Sequence, residues 1–143
     1  MRMLSRTALV LALVSGCGPS SDGIDRQPVT GAVTLDKEPL TQGAITFTPS
    51  ADGPSAGGTI DRGRYSIARA DGPAQGSYRV SIVSMQPTGR KLPDPEGPPG
   101  SLAEELQNIV PSRYNTKSEL EVVVRMGTNT FDFNLERVPP KRP

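Results

Sequence analysis

The run Ser77-Tyr78-Arg79-Val80-Ser81-Ile82-Val83-Ser84 decides what kind of protein this is. Tyr78, Val80 and Ile82 stand at every second position, separated by polar residues. Successive side chains of a strand point to opposite faces, so a period of two means a β-strand with one buried side. The same pattern recurs in both directions along the chain. Upstream, Gly31 to Asp36 places Val33 and Leu35 on one face, Gly43 to Pro49 places Ile45 and Phe47, Thr59-Ile60 is a short strand, and Arg64 to Ala68 places Tyr65 and Ile67. Downstream, Glu119 to Arg125 aligns Leu120, Val122 and Val124, and Thr130 to Glu136 aligns Phe131, Phe133 and Leu135.

Between these runs lie turn-formers. Lys37-Glu38-Pro39 turns the chain after the first strand, and Asp61-Arg62-Gly63 is a tight turn whose glycine can take a positive φ. Met85 to Gly100 carries Pro87, Pro93, Pro95, Pro98 and Pro99, which neither a helix nor a central strand accommodates, so a long loop is expected there. Ser101-Leu102-Ala103-Glu104 then has the form of a capping box, with Leu102, Leu106 and Ile109 at helical spacing before Pro111; one short helix is expected. Seven short strands at hairpin spacing predict an all-β protein, a seven-stranded antiparallel β-sandwich over residues 28–136.

Composition agrees with a turn-rich domain: glycine and proline each number 15 in 143 residues. There is one cysteine, so no internal disulfide, and a domain of about 100 residues must rely on its hydrophobic core. That cysteine stands in Val14-Ser15-Gly16-Cys17-Gly18-Pro19, where an apolar run ends. Before it come Arg2 and Arg6 without an acid, then the apolar stretch Ala8 to Val14, too short for a span of about 20 residues. This is an export signal over residues 1–16.

Val14-Ser15-Gly16-Cys17 resembles the lipobox of bacterial lipoproteins. The resemblance implies cleavage before Cys17, a diacylglyceryl group on its sulfur and an acylated amino terminus, and so attachment to the membrane. Two or three acyl chains anchor a protein stably where one does so only marginally. Gly18 stands where some bacteria use aspartate to retain lipoproteins at the inner membrane, which points to the outer membrane. Residues 17–27 read as a flexible tether of about 16 to 19 Å, and residues 137–143, charged and proline-rich, as a frayed tail.

Removing residues 1–16 leaves 14 basic against 15 acidic residues with the signs interspersed, which excludes the basic stripe of a nucleic-acid binder.

A second resemblance rests on Val29-Thr30-Gly31-Ala32-Val33-Thr34-Leu35-Asp36 with Pro39-Leu40, Ile45-Thr46-Phe47-Thr48-Pro49, Asp61 with Gly63-Arg64-Tyr65, and Gly76-Ser77-Tyr78-Arg79-Val80. Together these resemble the carboxypeptidase regulatory-like domain, which is a transthyretin-like (prealbumin-like) seven-stranded sandwich. Val110-Pro111-Ser112-Arg113-Tyr114-Asn115 and Phe131-Asp132-Phe133-Asn134-Leu135 resemble the small lipoprotein branch of that group. The chain departs from it in having Lys37-Glu38 where a glycine is usual, and in a shortened Asp61-Arg62-Gly63 turn at which no calcium site is expected.

The sequence has no histidine, which removes Ser-His-Asp and Cys-His activation and the usual zinc sites. No catalytic residue, metal or cofactor is expected. Asp22 with Asp25, and Glu104 with Glu105, could be read as carboxylate pairs, but the first falls in the tether and the second on the expected helix, where solvated faces account for them. There is no tryptophan platform for a glycan, and five of the six aromatics fall on inward positions. Tyr114 is the sixth. With Arg113 it is either a ligand contact or a structural pin for the returning loop. The function expected is a non-catalytic envelope module, structural or protein-binding through a strand edge; a small-ligand or glycan-binding module is the alternative.

Overall fold

The computed structural model describes residues 23–138. The signal segment 1–16, Cys17, Asp22 and most of the tether lie outside the described residues, as does the tail beyond Val138.

The strands are β1 (Val29–Leu35), β2 (Glu38–Pro39), β3 (Gln42–Pro49), β4 (Ala56–Asp61), β5 (Arg64–Ile67), β6 (Gly76–Val83), β7 (Met85–Pro93), β8 (Leu102–Asn108), β9 (Leu120–Val124), β10 (Asn129–Thr130) and β11 (Phe133–Leu135). Single 3-10 turns at Arg69–Asp71 and Ser112–Tyr114 are the helical elements among the described residues. The main sheet runs in the order β10, β1, β5, β4, β3, β6, β9, with β11 and β2 also on β1, and it curls into a half-barrel. β7 and β8 form a separate two-stranded ribbon.

The curl follows from where the aromatic rings meet. Phe131, immediately after β10, and Phe47 on β3 sit four strands apart in the order, about 19 Å on a flat sheet at roughly 4.8 Å per strand. Their ring centroids are 6.4 Å apart. The right-handed twist of strands lets a long sheet bend back on itself in this way and bury one face. Phe47 also meets Tyr65 at 6.2 Å and Tyr78 at 6.5 Å, so it is the hub of the core.

The period-two pattern assigns that face correctly. Of the sixteen residues expected inward, Ile60 of the short Thr59-Ile60 strand included, thirteen are buried, and Leu120, Val122 and Phe131 pack half-buried against them. Val29, Leu40, Ala56 and Val110 join the core as well.

Three expectations are corrected. The helix over 101–109 is absent, for Leu102–Asn108 is strand β8. Leucines at 102 and 106 share a face in a strand as well as in a helix, and a segment this short cannot pay for helix nucleation without a buried stripe. Here it pairs with β7, which occupies much of the expected loop 85–100 and leaves residues 94–101 as the connection. Pro87 and Pro93 are tolerated because the outer edge of β7 carries no partner strand among the described residues. Second, the sheet is not wholly antiparallel: β1 runs parallel to β10 and β11, in register Val29↔Asn129 and Val33↔Phe133. Alternation fixes a strand's buried face but not the direction of its neighbour. Third, the first turn lies one residue early. Leu35 faces Glu38, so Asp36 and Lys37 form a two-residue loop at φ 53° and 71°, the positive values of a type I′ hairpin.

The Arg62-Gly63 turn is of the same kind, with φ 48° and 74°, and Gly63 N–H donates to Leu40 O at 2.8 Å. Gly31 matters differently. A Cβ there would lie 1.8 Å from the Phe131 carbonyl oxygen, so only glycine lets this part of the parallel seam close.

Candidate functional site

The sequence singles out Arg113 and Tyr114, and both lie in the 3-10 turn that follows β8. The turn is set by Asn115, whose side-chain amide donates to Val110 O and Pro111 O, both at 3.0 Å. Its Oδ1 accepts the Thr116 N–H at 2.7 Å. Such local bonds from asparagine to backbone favour turns over regular structure. Pro111 restricts the entry, and the turn therefore faces the end of β11.

Two side chains then hold one residue. The Arg113 guanidinium donates through Nη2 to Glu136 O. The Tyr114 hydroxyl accepts the Glu136 N–H at 3.3 Å. The guanidinium carbon stands 4.7 Å from the centre of the Tyr114 ring, within cation–π range, while the ring packs half-buried against the core.

The same segment is also held by Asp36. Its Oδ1 accepts Arg137 N–H at 2.9 Å, its Oδ2 accepts Arg137 Nη1 at 2.6 Å, and its own N–H donates to Leu135 O at 2.8 Å. The Arg137 backbone N–H is the main reason the Asp36 carboxyl lies below its ordinary value; partial desolvation opposes this, and the Arg137 and then Arg113 guanidinium groups add to the lowering. Arg137, the first residue of the expected tail, is thus held against Asp36. Sequence reading missed Asp36 and Arg137, since neither belongs to a local motif and they lie 101 residues apart.

At the seam, the buried Tyr65 hydroxyl donates to Phe131 O at 2.8 Å, and burial, reinforced by the Asp132 charge, pushes its phenol well above the ordinary value. Asp132 Oδ1 accepts the Ala32 N–H at 2.8 Å, standing in for a strand carbonyl.

Of the carboxylate pairs, Asp22 with Asp25 cannot be described because Asp22 lies outside the described residues, and Glu104 with Glu105 does not assemble. Adjacent residues on a strand face opposite ways, so Glu104 and Glu105 diverge. Glu105 accepts from Thr88 Oγ1 at 2.7 Å and pairs with Arg90 at 3.6 Å, whereas Glu104 stands opposite Lys91. Asp25 pairs with Arg69 at 3.6 Å on the surface. Among the described residues no group of three or more His, Cys, Asp or Glu is placed to hold a metal ion.

A hollow of about 260 Å³ adjoins the Asp36 clamp, lined by Leu35, Leu40, Gln86, Ile109 and Arg137 among others. A broader open one of about 590 Å³ lies across β1, β4 and β5, with Thr30, Thr59 and Ser66 presenting hydroxyls beside Asp61, Arg62 and Arg64. Arg113 and Tyr114 line neither. The signal for the broader hollow was present as small polar residues on the outward positions of three strands.

No family model and no curated protein matches the chain. Among solved structures, a 9R-lipoxygenase from Cyanothece PCC8801 is similar at 14% identity and a TM-score of 0.41, over 80% of this chain. The match spans 17% of that lipoxygenase chain.

Proposed function

We propose that the protein is a lipid-anchored, non-catalytic β-sandwich of the bacterial cell envelope, acting as a structural or protein-interaction module. The observation that carries this reading is the Val14-Ser15-Gly16-Cys17 sequence behind a basic and apolar leader, which supplies a nucleophilic thiol where a lipid anchor would be added. The use of Arg113, Tyr114 and Asp36 supports it, because each is spent on holding the chain after β11 rather than on converging toward an open site. We further propose that the fold is of the transthyretin-like kind. The support for this is a path of seven positions across the sheet once β10 and β11 are counted as one interrupted strand.

The test is intact mass spectrometry of the protein from a detergent-solubilised membrane fraction, beside a Cys17→Ser variant. Loss of residues 1–16 together with diacylglyceryl and acyl mass, both missing from the variant, is the outcome expected. A protein cleaved without lipid and recovered in soluble form overturns the anchor. The small-ligand or glycan alternative draws on the hydroxyl-lined hollow over β1, β4 and β5. Chemical-shift changes at Thr30, Thr59 and Ser66 in a screen of small glycans would favour it.

A further inference from the structure

The tripeptide Asp-Gly-Pro occurs twice among the described residues, at 52–54 and at 71–73. At an aspartyl-glycyl bond the peptide nitrogen reaches the preceding side-chain carboxyl with least hindrance, because glycine has no Cβ to stand in the way. Every other aspartate of the described residues is followed by a residue with a Cβ, and after Asp94 that residue is Pro95, which has no N–H to give up. The local sequence therefore treats positions 52 and 71 alike. The fold does not.

Asp71 closes the 3-10 turn Arg69–Asp71. Its N–H donates to Ala68 O at 3.1 Å, and the Gly72 N–H donates to Arg69 O at 3.3 Å. Gly72 O accepts from Arg26 Nη1 at 3.1 Å, and Pro73 O accepts the Gln27 N–H at 2.8 Å. Gly72 and Pro73 are buried, and a Cβ on Gly72 would lie 1.9 Å from the Gln27 carbonyl oxygen. The nitrogen that would attack is engaged as a donor, and the backbone around it has no room to swing.

Asp52 lies in the connection from β3 to β4, where Ser50 to Ser55 are all exposed. The connection is fixed at its two ends, by the Ser50 N–H donating to Ser77 O at 2.9 Å and by Ala56 pairing with Phe47. Between them, the Asp52 carboxylate and the Gly53 N–H make no hydrogen bond or ion pair among the described residues. Gly53 stands at φ 150°, and the nearest atom to where its Cβ would be is Pro49 Cγ at 3.8 Å. Rotation of this backbone breaks no contact, as is usual at exposed loop tips.

We propose that Asp52 is a site of spontaneous isoaspartate formation in the folded protein, from which the fold protects Asp71. The Gly53 nitrogen attacks Asp52 Cγ and forms a new N–C bond, while the hydroxyl of the protonated carboxyl leaves as water with the amide proton, giving a succinimide. Water then adds at the Asp52 main-chain carbonyl, and the bond from that carbon to the Gly53 nitrogen breaks. One water is lost and one gained. The chain now runs through Cβ and Cγ, one methylene longer, with a free carboxylate on Cα. The change falls on the rim of a hollow of about 380 Å³ lined by Ile24, Pro49, Ala51, Pro54 and Tyr78 among others. It is independent of the lipid anchor.

The test is prolonged incubation of the full-length chain in warm neutral buffer, folded and in guanidinium chloride, followed by tryptic mapping. Trypsin places the two sites on separate peptides, 38–62 and 70–79, and electron-transfer fragmentation, which cleaves within an isoaspartyl residue, locates the modified position. In the folded chain isoaspartate should accumulate at 52 while peptide 70–79 stays unmodified; in guanidinium chloride both sites should convert at similar rates. Asp52→Glu, which replaces the five-membered ring by a less readily formed six-membered one, should abolish the signal from 38–62. A folded chain without isoaspartate at 52, or with as much at 71, overturns the proposal. So does a difference between the sites that persists in guanidinium chloride, since the fold is then not its cause.

Discussion

Substituting Gly31 by alanine should open the parallel seam that closes the half-barrel. The new Cβ would stand 1.8 Å from the Phe131 carbonyl oxygen and 2.8 Å from Tyr65 Cε1, so the segment after β10 has to retreat by more than an ångström. That retreat endangers three hydrogen bonds: Phe131 N–H to Thr30 O at 2.9 Å, Ala32 N–H to Asp132 Oδ1 at 2.8 Å, and Tyr65 O–H to Phe131 O at 2.8 Å. At about 1 kcal/mol each they sum to about 3 kcal/mol, before any penalty for overpacking the Tyr65 ring. A loss of that size is a fifth or more of the 5 to 15 kcal/mol that typically separates folded from unfolded domains. Urea unfolding followed by far-ultraviolet circular dichroism reads it as a lower midpoint. In a double-mutant cycle, Tyr65→Phe should cost less in the Gly31→Ala background than alone, because the hydroxyl has already lost its acceptor. A Gly31→Ala variant within about 0.5 kcal/mol of the parent, the range of an ordinary surface substitution, would refute the reasoning.

Three further outcomes follow from the clamp and the turns. Asp36 has a lowered carboxyl, so its contribution to stability is present above the ordinary aspartate value, about 3.9, and is lost as the pH falls through the folded value. Arg137→Ala keeps the backbone N–H but removes the guanidinium, so it should move the Asp36 carboxyl resonance titration upward in part, and an unmoved titration would remove the guanidinium as a contributor. Lys37→Gly relieves a lysine held at φ 71° and should stabilise by up to about 1 kcal/mol, seen as a raised urea midpoint. Tyr114→Ala removes a half-buried ring and the acceptor for Glu136 N–H and should cost about 2 kcal/mol; an unchanged midpoint would show that the clamp does not rest on this side chain.

The candidate site was legible only in part. Arg113-Tyr114-Asn115 stood out as a local sequence, and Asn115 does build its turn from neighbours within five residues. What the turn holds was hidden, because Glu136 is recognised through its backbone, which carries no sequence signature. Asp36 and Arg137 were hidden for another reason, since a single ion pair across 101 residues leaves no periodic trace.

By itself the sequence determined which residues face inward. Alternation is a property of the strand, and from Val33 to Leu135 it selected a face that the folded chain buries. It also determined the glycine turn at Gly63, where backbone geometry is local. Only the tertiary structure decided that β1 runs parallel to β10 and β11, that the sheet curls until Phe131 meets Phe47, and that Leu102–Asn108 is a strand. In each of these the deciding energy is a contact between segments distant along the chain. A seven-residue segment whose leucines suit both helix and strand takes its form from whichever backbone lies beside it, and here that backbone is β7.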